Sequence, residues 1–168
     1  RLYEVALDDD ARVNALTRRA RLFTEPLGRH EEALEAWQRV LEIDFSNVVA
    51  LRAIAKLRRD KNEHQDLVLA LHQIVDRVSD RIDAVELREV HREVAKLYAN
   101  ILNQPEDAVE SWKQLLGVDA SDLEAMAELE RIYRGDERWP EVVGVKQQRA
   151  RSTTPCVWSA PTFGRAAS

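Results

Sequence analysis

ALEAWQRVLEIDFSN, residues 33–47, is the stretch that decides the fold, because it returns 75 residues later as AVESWKQLLGVDASD, residues 108–122. A small residue, a tryptophan four positions after it and an Asp-x-Ser turn recur at the same offsets in both copies. Their apolar residues follow the three- and four-residue spacing of one helix face. A shift of 75 residues corresponds to two helical hairpins of about 37 residues each, so we predict about four hairpins.

The helical period extends from residue 2 to about residue 145, and no alternating strand pattern competes with it. Two capping boxes are predicted, one formed by Ser121 with Glu124 and one by Asp83 with Glu86. The predicted helices lie near 10–25, 30–43, 47–59, 64–78, 83–101, 105–117, 122–133 and 137–151.

The predicted domain organisation follows these breaks. A remnant of a preceding repeat helix occupies 1–7, a helical repeat domain occupies 8–151, and a non-helical tail occupies 152–168. The tail contains two prolines and a glycine that interrupt helices, and its composition predicts disorder. An open alternative is that Val157, Trp158 and Phe163 anchor the tail in a groove of this molecule or a neighbour. Within the domain, the hairpins span about 8–45, 46–80, 81–120 and 121–151.

Composition excludes several classes of protein. The 168 residues carry 25 Lys+Arg against 30 Asp+Glu, and apolar residues make up 45%. A chain of this composition is too apolar to be disordered and too charged to be a membrane protein. The single cysteine, Cys156, excludes a disulfide framework and a cysteine-cluster metal site. No signal peptide or membrane-spanning run is visible, which favours the cytoplasm without establishing the compartment.

The residues at these offsets resemble a tetratricopeptide-repeat (TPR) array. That pattern places a small residue and an aromatic in the first helix of each hairpin, and Ala-x-x-x-aromatic in the second. The loop proline of the family is absent here. The matching pairs are Ala20 with Phe23 and Ala95 with Tyr98 in first helices, and Ala33 with Trp37 and Ala108 with Trp112 in second helices.

The resemblance implies an all-α, right-handed solenoid of about four antiparallel hairpins, with the first helices lining a concave face. Each hairpin has one apolar face that it cannot bury alone, so neighbouring hairpins must stack into a continuous core. Trp37 and Trp112 are expected to fill the space between a helix and the next hairpin, and replacing either with alanine should cost roughly 3–5 kcal/mol if it is buried.

No catalytic, cofactor-binding or metal-binding residue is predicted. The four histidines have no ligand spacing, and we interpret them as surface or partly packed side chains. The scattered glycines form no phosphate loop, and no nucleophile motif is present. The histidines are His30, His64, His72 and His91.

A basic column is predicted along the first helices. In this protein of net charge −5, the position after the small-residue slot is basic in all four hairpins. Such a column would attract an acidic segment or a free carboxylate. The alternative is that these bases solvate the groove wall and pair with Glu89, Glu93, Glu124 and Glu128. The candidate groove residues are Arg21, Arg52, Lys56, Arg92, Lys96 and Arg131.

We therefore expect a non-catalytic protein–protein interaction scaffold that binds a peptide or an acidic segment in its concave groove. Nucleic acid is not expected, because the total charge is acidic and aromatics are absent among the basic positions. Two alternatives stay open. The chain could be a regulatory or accessory segment of a larger enzyme or signalling protein, or an array that self-associates through its end hairpins or tail.

Overall fold

The structure, a computed structural model, describes residues 9–24 and 28–153. Over those residues the chain forms eight α-helices and contains no β-strand. Each helix begins and ends within two residues of its predicted bounds. The helices are α1 (Asp9–Thr24), α2 (His30–Ile43), α3 (Val48–Asp60), α4 (His64–Val78), α5 (Ala84–Asn100), α6 (Pro105–Val118), α7 (Leu123–Gly135) and α8 (Trp139–Thr153).

Each helix packs against the next along the chain, which gives four hairpins in sequence. We call α1, α3, α5 and α7 the first helices, and α2, α4, α6 and α8 the second helices. The predicted remnant at 1–7 and tail residues 154–168 lie outside the described residues. None of the described helices is long and apolar enough to cross a membrane.

The turn inside every hairpin contains one residue in the left-handed backbone region. These residues have φ values of +53° to +59°. The first two of these residues are 34 apart in the chain, and so are the last two. The second pair follows the first by 75 residues, which is the offset of the sequence repeat. Glycine tolerates this conformation without a Cβ clash and asparagine tolerates it better than most residues, whereas glutamate does not. The four residues are Gly28, Asn62, Asn103 and Glu137.

The turn between hairpins is also duplicated. The Oδ1 atom of Asp119 accepts hydrogen bonds from the Ser121 amide at 3.0 Å and from its hydroxyl at 2.7 Å. The same turn forms between Asp44 and Ser46, with both distances at 3.2 Å. These bonds to Ser121, together with one from Arg88, lower the pKa of Asp119 to about 2.

The predicted capping box of Ser121 and Glu124 is wrong. Because Ser121 is engaged by Asp119, the residue that caps α7 is Asp122, which accepts from the Ala125 amide at 2.9 Å.

Only one of the two hydrogen bonds of the second predicted capping box, between Asp83 and Glu86, forms. Asp83 accepts a hydrogen bond from the Glu86 amide at 2.7 Å, which caps α5. The Glu86 carboxylate does not return to the cap, because it accepts from Arg52 of α3 instead.

The core follows the repeat. Ala20, Ala55 and Ala95 occupy the small-residue slots of the first three hairpins and are fully buried or nearly so. Small side chains let the helix backbones approach closely at these points. Trp37 and Trp112 are buried at equivalent positions of α2 and α6, as predicted.

The last second helix departs from its predecessors. In α2, α4 and α6, two buried apolar residues three positions apart pack under the neighbouring hairpin. The equivalent residues of α8 are Lys146 and Arg149, and both are exposed. A polar outer face of this kind is typical of the terminal unit of a helical repeat array. The buried pairs are Trp37 and Val40, Leu71 and Ile74, and Trp112 and Leu115.

Candidate binding face

The first helices lie side by side and are joined by ion pairs, and we call the surface that they form the first-helix face. Arg59 of α3 donates from Nε and Nη2 to the carboxylate of Glu93 on α5, both at 2.6 Å. Arg52, two turns earlier, makes the same two-bonded contact with Glu86. The partners in each pair are 34 residues apart and lie on the first helices of neighbouring hairpins.

The next pair of first helices repeats the arrangement. Arg92 of α5 donates from Nη2 to Asp122 at the start of α7 at 2.6 Å, and its Nε lies 2.9 Å from Glu124. Lys96 approaches the other oxygen of Glu124 at 2.7 Å. Bases of one first helix therefore face acids of the following one, and we call this series of contacts the ion-pair ladder.

The ladder contains half of the predicted basic column. Arg52, Arg92 and Lys96 each contact a carboxylate of the following first helix. Arg131 pairs with Glu128 of its own helix at 2.8 Å. The four acids named in the alternative interpretation, Glu89, Glu93, Glu124 and Glu128, all contact a base.

Two members of the column differ from the rest. Arg21 of α1 and Lys56 of α3 are exposed, and neither has a carboxylate within ion-pairing distance in the described part of the chain. The structure therefore leaves free positive charge at separate points of the face rather than along its whole length. That any of the six residues contacts a ligand stays a prediction.

Hydrogen bonding shifts the pKa of two ladder arginines upward. The bonds to Glu93 raise the pKa of Arg59, and partial burial opposes this effect. The bonds to Glu86 raise the pKa of Arg52 in the same way. Arginine and glutamate side chains here are partly solvent-exposed, and such pairs are worth only about 0–1 kcal/mol each. Replacing the glutamate partner of one of these arginines by a ligand carboxylate therefore requires little free energy.

An open pocket of about 500 Å³ lies on the first-helix face between α3 and α5. Its rim holds ladder residues of both helices, and its floor includes Leu97 and Ile101. These two apolar residues were not among the candidates predicted from the sequence. Ile101 is 50% exposed just after the end of α5. The sequence alone shows only an isoleucine at the end of a predicted helix, and its exposure depends on the packing of the hairpins. The rim residues are Arg59, Glu89, Arg92, Glu93, Lys96 and Asn100.

A second open pocket, of about 450 Å³, lies on the opposite side, between α2, α3 and α4. Leu69 of α4 is 60% exposed at its edge. Its two arginines are engaged, because Arg58 contacts Glu63 and Arg77 donates to the Phe45 carbonyl. Neither arginine of this pocket is therefore free, in contrast to Arg21 and Lys56 of the first-helix face.

Histidines provide no metal site among the residues that the structure describes, where no group of three or more potential ligands comes together. His91 is buried in α5, and burial lowers its pKa, with a smaller contribution from His72. A ring nitrogen of His72 lies 3.3 Å from the Tyr98 hydroxyl. These side chains belong to the contact between α4 and α5.

Comparison with known proteins gives the fold. No protein-family model matches the sequence, and no curated protein matches it significantly. A solved structure of MamA superposes with a TM-score of 0.55 at 14% identity, covering 83% of this chain and 77% of that one. The chain has a TPR-like helical repeat fold.

Two further solved structures agree. YrrB, described as a TPR protein with an unusual peptide-binding site, gives a TM-score of 0.54 at 14% identity, covering 82% of this chain and 67% of that one. The TPR-like repeats of a putative kinesin light chain from Podosopora anserina give 0.50 at 21% identity, covering 84% and 75%. The predicted all-α, TPR-like solenoid is confirmed.

Proposed function

We propose that this chain is a non-catalytic interaction scaffold whose first-helix face binds a peptide segment of a partner protein. The observation that carries the proposal is the pocket between α3 and α5, where Leu97 and Ile101 form an apolar floor inside a rim of charged side chains. Apolar anchors surrounded by polar groups are the usual composition of peptide-binding surfaces.

The rim suits a ligand that carries charge of both signs or excess negative charge. Ladder residues such as Arg59 and Lys96 are about half exposed, so a ligand carboxylate reaches them without opening the core. The free charges of Arg21 and Lys56 add a positive field on the same face, which would steer an acidic segment. YrrB, which shares the fold, is described as having a peptide-binding site.

The test is capture of partners by the whole chain and by two matched variants. Ile101→Asp places a charge on the pocket floor, and Leu69→Asp places the same charge on a leucine that is 60% exposed in the other pocket, against 50% for Ile101. Circular dichroism first establishes that both variants are folded. We expect Ile101→Asp to lose the captured proteins and Leu69→Asp to keep them.

A second pair tests the acidic character of the partner. Lys56→Glu reverses a free charge of the first-helix face, and Lys113→Glu does the same on the exposed side of α6. A partner whose capture is lost in Lys56→Glu but kept in Lys113→Glu is acidic. Partner sets identical among all four variants and the unaltered chain would refute binding at this face. Concentration-dependent mass of the chain alone would favour self-association instead.

A further inference from the structure

The small-residue slot of the last hairpin holds a carboxylate. Ala20, Ala55 and Ala95 fill this slot in the first three hairpins, whereas α7 places Glu130 there, with only 9% of the residue exposed. A buried carboxylate is costly unless cations face it. Glu130 meets three cations. They are Arg134 at 2.6 Å, Lys146 at 3.7 Å and Arg149 at 3.9 Å.

One of these cations, Arg134, comes from the last described first helix. Arg134 is the repeat equivalent of Arg59, which pairs with Glu93 of the following first helix. In the described chain α7 has no following first helix, so Arg134 turns back to Glu130 of its own helix.

Around Glu130 lies an open pocket of about 430 Å³ between α7 and α8. Three arginines, Glu130 and Ala127 line it. Ala127 stands where α3 has Arg52, so no long side chain fills this part of the face. The pocket therefore has both room and charge on the last hairpin that the structure describes. The arginines are Arg131, Arg134 and Arg149.

The cations of this pocket outnumber its carboxylates, unlike those of the α3–α5–α7 ladder. In the described part of the chain, the three lining arginines and the nearby Lys146 pair with two acids, Glu128 and Glu130. The contacts of Lys146 and Arg149 with Glu130 are longer than hydrogen bonds. These two groups consequently retain most of their capacity to donate to another anion.

We propose that the pocket between α7 and α8 binds carboxylate side chains of an acidic peptide, and that Glu130 is an internal competitor for the same cations. Guanidinium groups bind carboxylates through two parallel hydrogen bonds, and several arginines converge here. This site rests on the proposed function, because it extends the same face and names the charge of its ligand.

A second copy of the chain is a poorer occupant than an acidic peptide. Head-to-tail stacking would bring α1 against this end of the array. Helix α1 carries Asp9 and Asp10 against four arginines, so its own charge is positive. Like charges would therefore meet across such a contact, which opposes association. The arginines are Arg12, Arg18, Arg19 and Arg21.

The test uses a fluorescein-labelled octaglutamate peptide and the whole chain at low salt, with fluorescence anisotropy as the measurement. Arg149→Glu should weaken binding by about tenfold or more. Lys113→Glu, on the exposed side of α6, should leave it within about twofold. Octalysine should not bind. Glu130→Gln should tighten binding severalfold, since it removes the competitor while keeping the size of the side chain.

The response to Glu130→Gln distinguishes a ligand site from a purely structural cluster. If the cations serve only to neutralise Glu130, the variant will lose stability and the affinity for octaglutamate will not rise. That result would overturn the proposal. So would absent binding of octaglutamate, or binding that Arg149→Glu leaves intact. If the chain binds a single-stranded oligonucleotide as tightly as octaglutamate, the pocket is a site for polyanions in general, and the proposal of an acidic peptide is overturned.

The outcome is separable from that of the proposed function. Loss of captured partners in Ile101→Asp, together with octaglutamate binding that ignores Arg149, would retain the scaffold and reject this subsite. The reverse result is octaglutamate binding that depends on Arg149 and partner capture that Ile101→Asp does not change. It would support the subsite and assign partner binding to the pocket between α7 and α8 instead of the pocket between α3 and α5.

Discussion

Asp122 and Arg92 join the start of α7 to the middle of α5 through one carboxylate. Its Oδ1 atom accepts the Ala125 amide at 2.9 Å, and its Oδ2 atom accepts from Arg92 Nη2 at 2.6 Å. The side chains of Arg92 and Asp122 are only 18% and 9% exposed. Helix capping and hairpin stacking are therefore coupled at this residue.

The first prediction separates those two roles. Asp122→Ala should lower the free energy of unfolding by about 2 kcal/mol, since it removes the cap and leaves Arg92 with a weaker set of partners. Asp122→Asn should cost less, because the amide oxygen keeps the cap, as Asn47 does for α3. Urea denaturation measures both. Equal losses in the two variants would mean that the cap contributes nothing.

The second prediction concerns the buried tryptophans. Trp112→Ala should cost about 3–5 kcal/mol, because it opens a large cavity where two hairpins meet. Trp139→Ala is the control, since Trp139 is 59% exposed and should cost less than about 1 kcal/mol. Both are measured by chemical denaturation. A small loss for Trp112 would show that the core of the second half does not depend on it.

The third prediction uses the left-handed turn residue Glu137. Its φ of +57° is unfavourable for a side chain with a Cβ. Glu137→Gly should therefore raise the free energy of unfolding by about 1 kcal/mol. Gly28→Ala, at the equivalent turn of the first hairpin and with φ of +59°, should lower it by a similar amount. Thermal melting of both variants measures the difference, and a destabilised Glu137→Gly would contradict the expectation.

The fourth prediction concerns acid sensitivity. Burial lowers the pKa of His91 in the folded chain, so the unfolded chain takes up a proton at higher pH than the folded one. Stability from this group is complete above the unfolded pKa of about 6.5 and declines as the pH falls below it. Chemical denaturation between pH 7 and 5 should show the decline.

The control for this effect is His91→Leu, which should flatten the pH dependence in that range. His72 lies close enough to contribute to the shift and is retained in the variant. A pH dependence unchanged by His91→Leu would assign the decline to other groups.

Helix bounds could be predicted closely because they depend on local information. The period of the apolar residues, Pro105 at the first position of α6 and the Asp-x-Ser turns act within a few residues of chain. The 75-residue repeat then fixed the number of hairpins. The capping residue of α7 was mispredicted because Ser121 and Asp122 are both good caps, and the bond from Ser121 to Asp119 selects between them.

The basic column could be predicted only in part. Aligning the repeats predicted that Arg52, Arg92 and Lys96 share one face, and in the structure each contacts a carboxylate of the following first helix. Whether that face is basic depends on which acids of the next hairpin stand opposite them, as Glu86 does for Arg52 across 34 residues. Sequence offsets do not give that distance, because it is set by how the hairpins stack.

The sequence by itself determined the helices, their pairing into hairpins and the small and large residues of the core, because these follow from local period and from the repeat. Only the tertiary structure decided where charge remains free. Stacking pairs Arg52, Arg59, Arg92 and Lys96 with acids of the following first helix, whereas Lys56 has no such partner in the described chain. At α7, the end of the described array, Arg134 turns back to Glu130 and shares that carboxylate with Lys146 and Arg149.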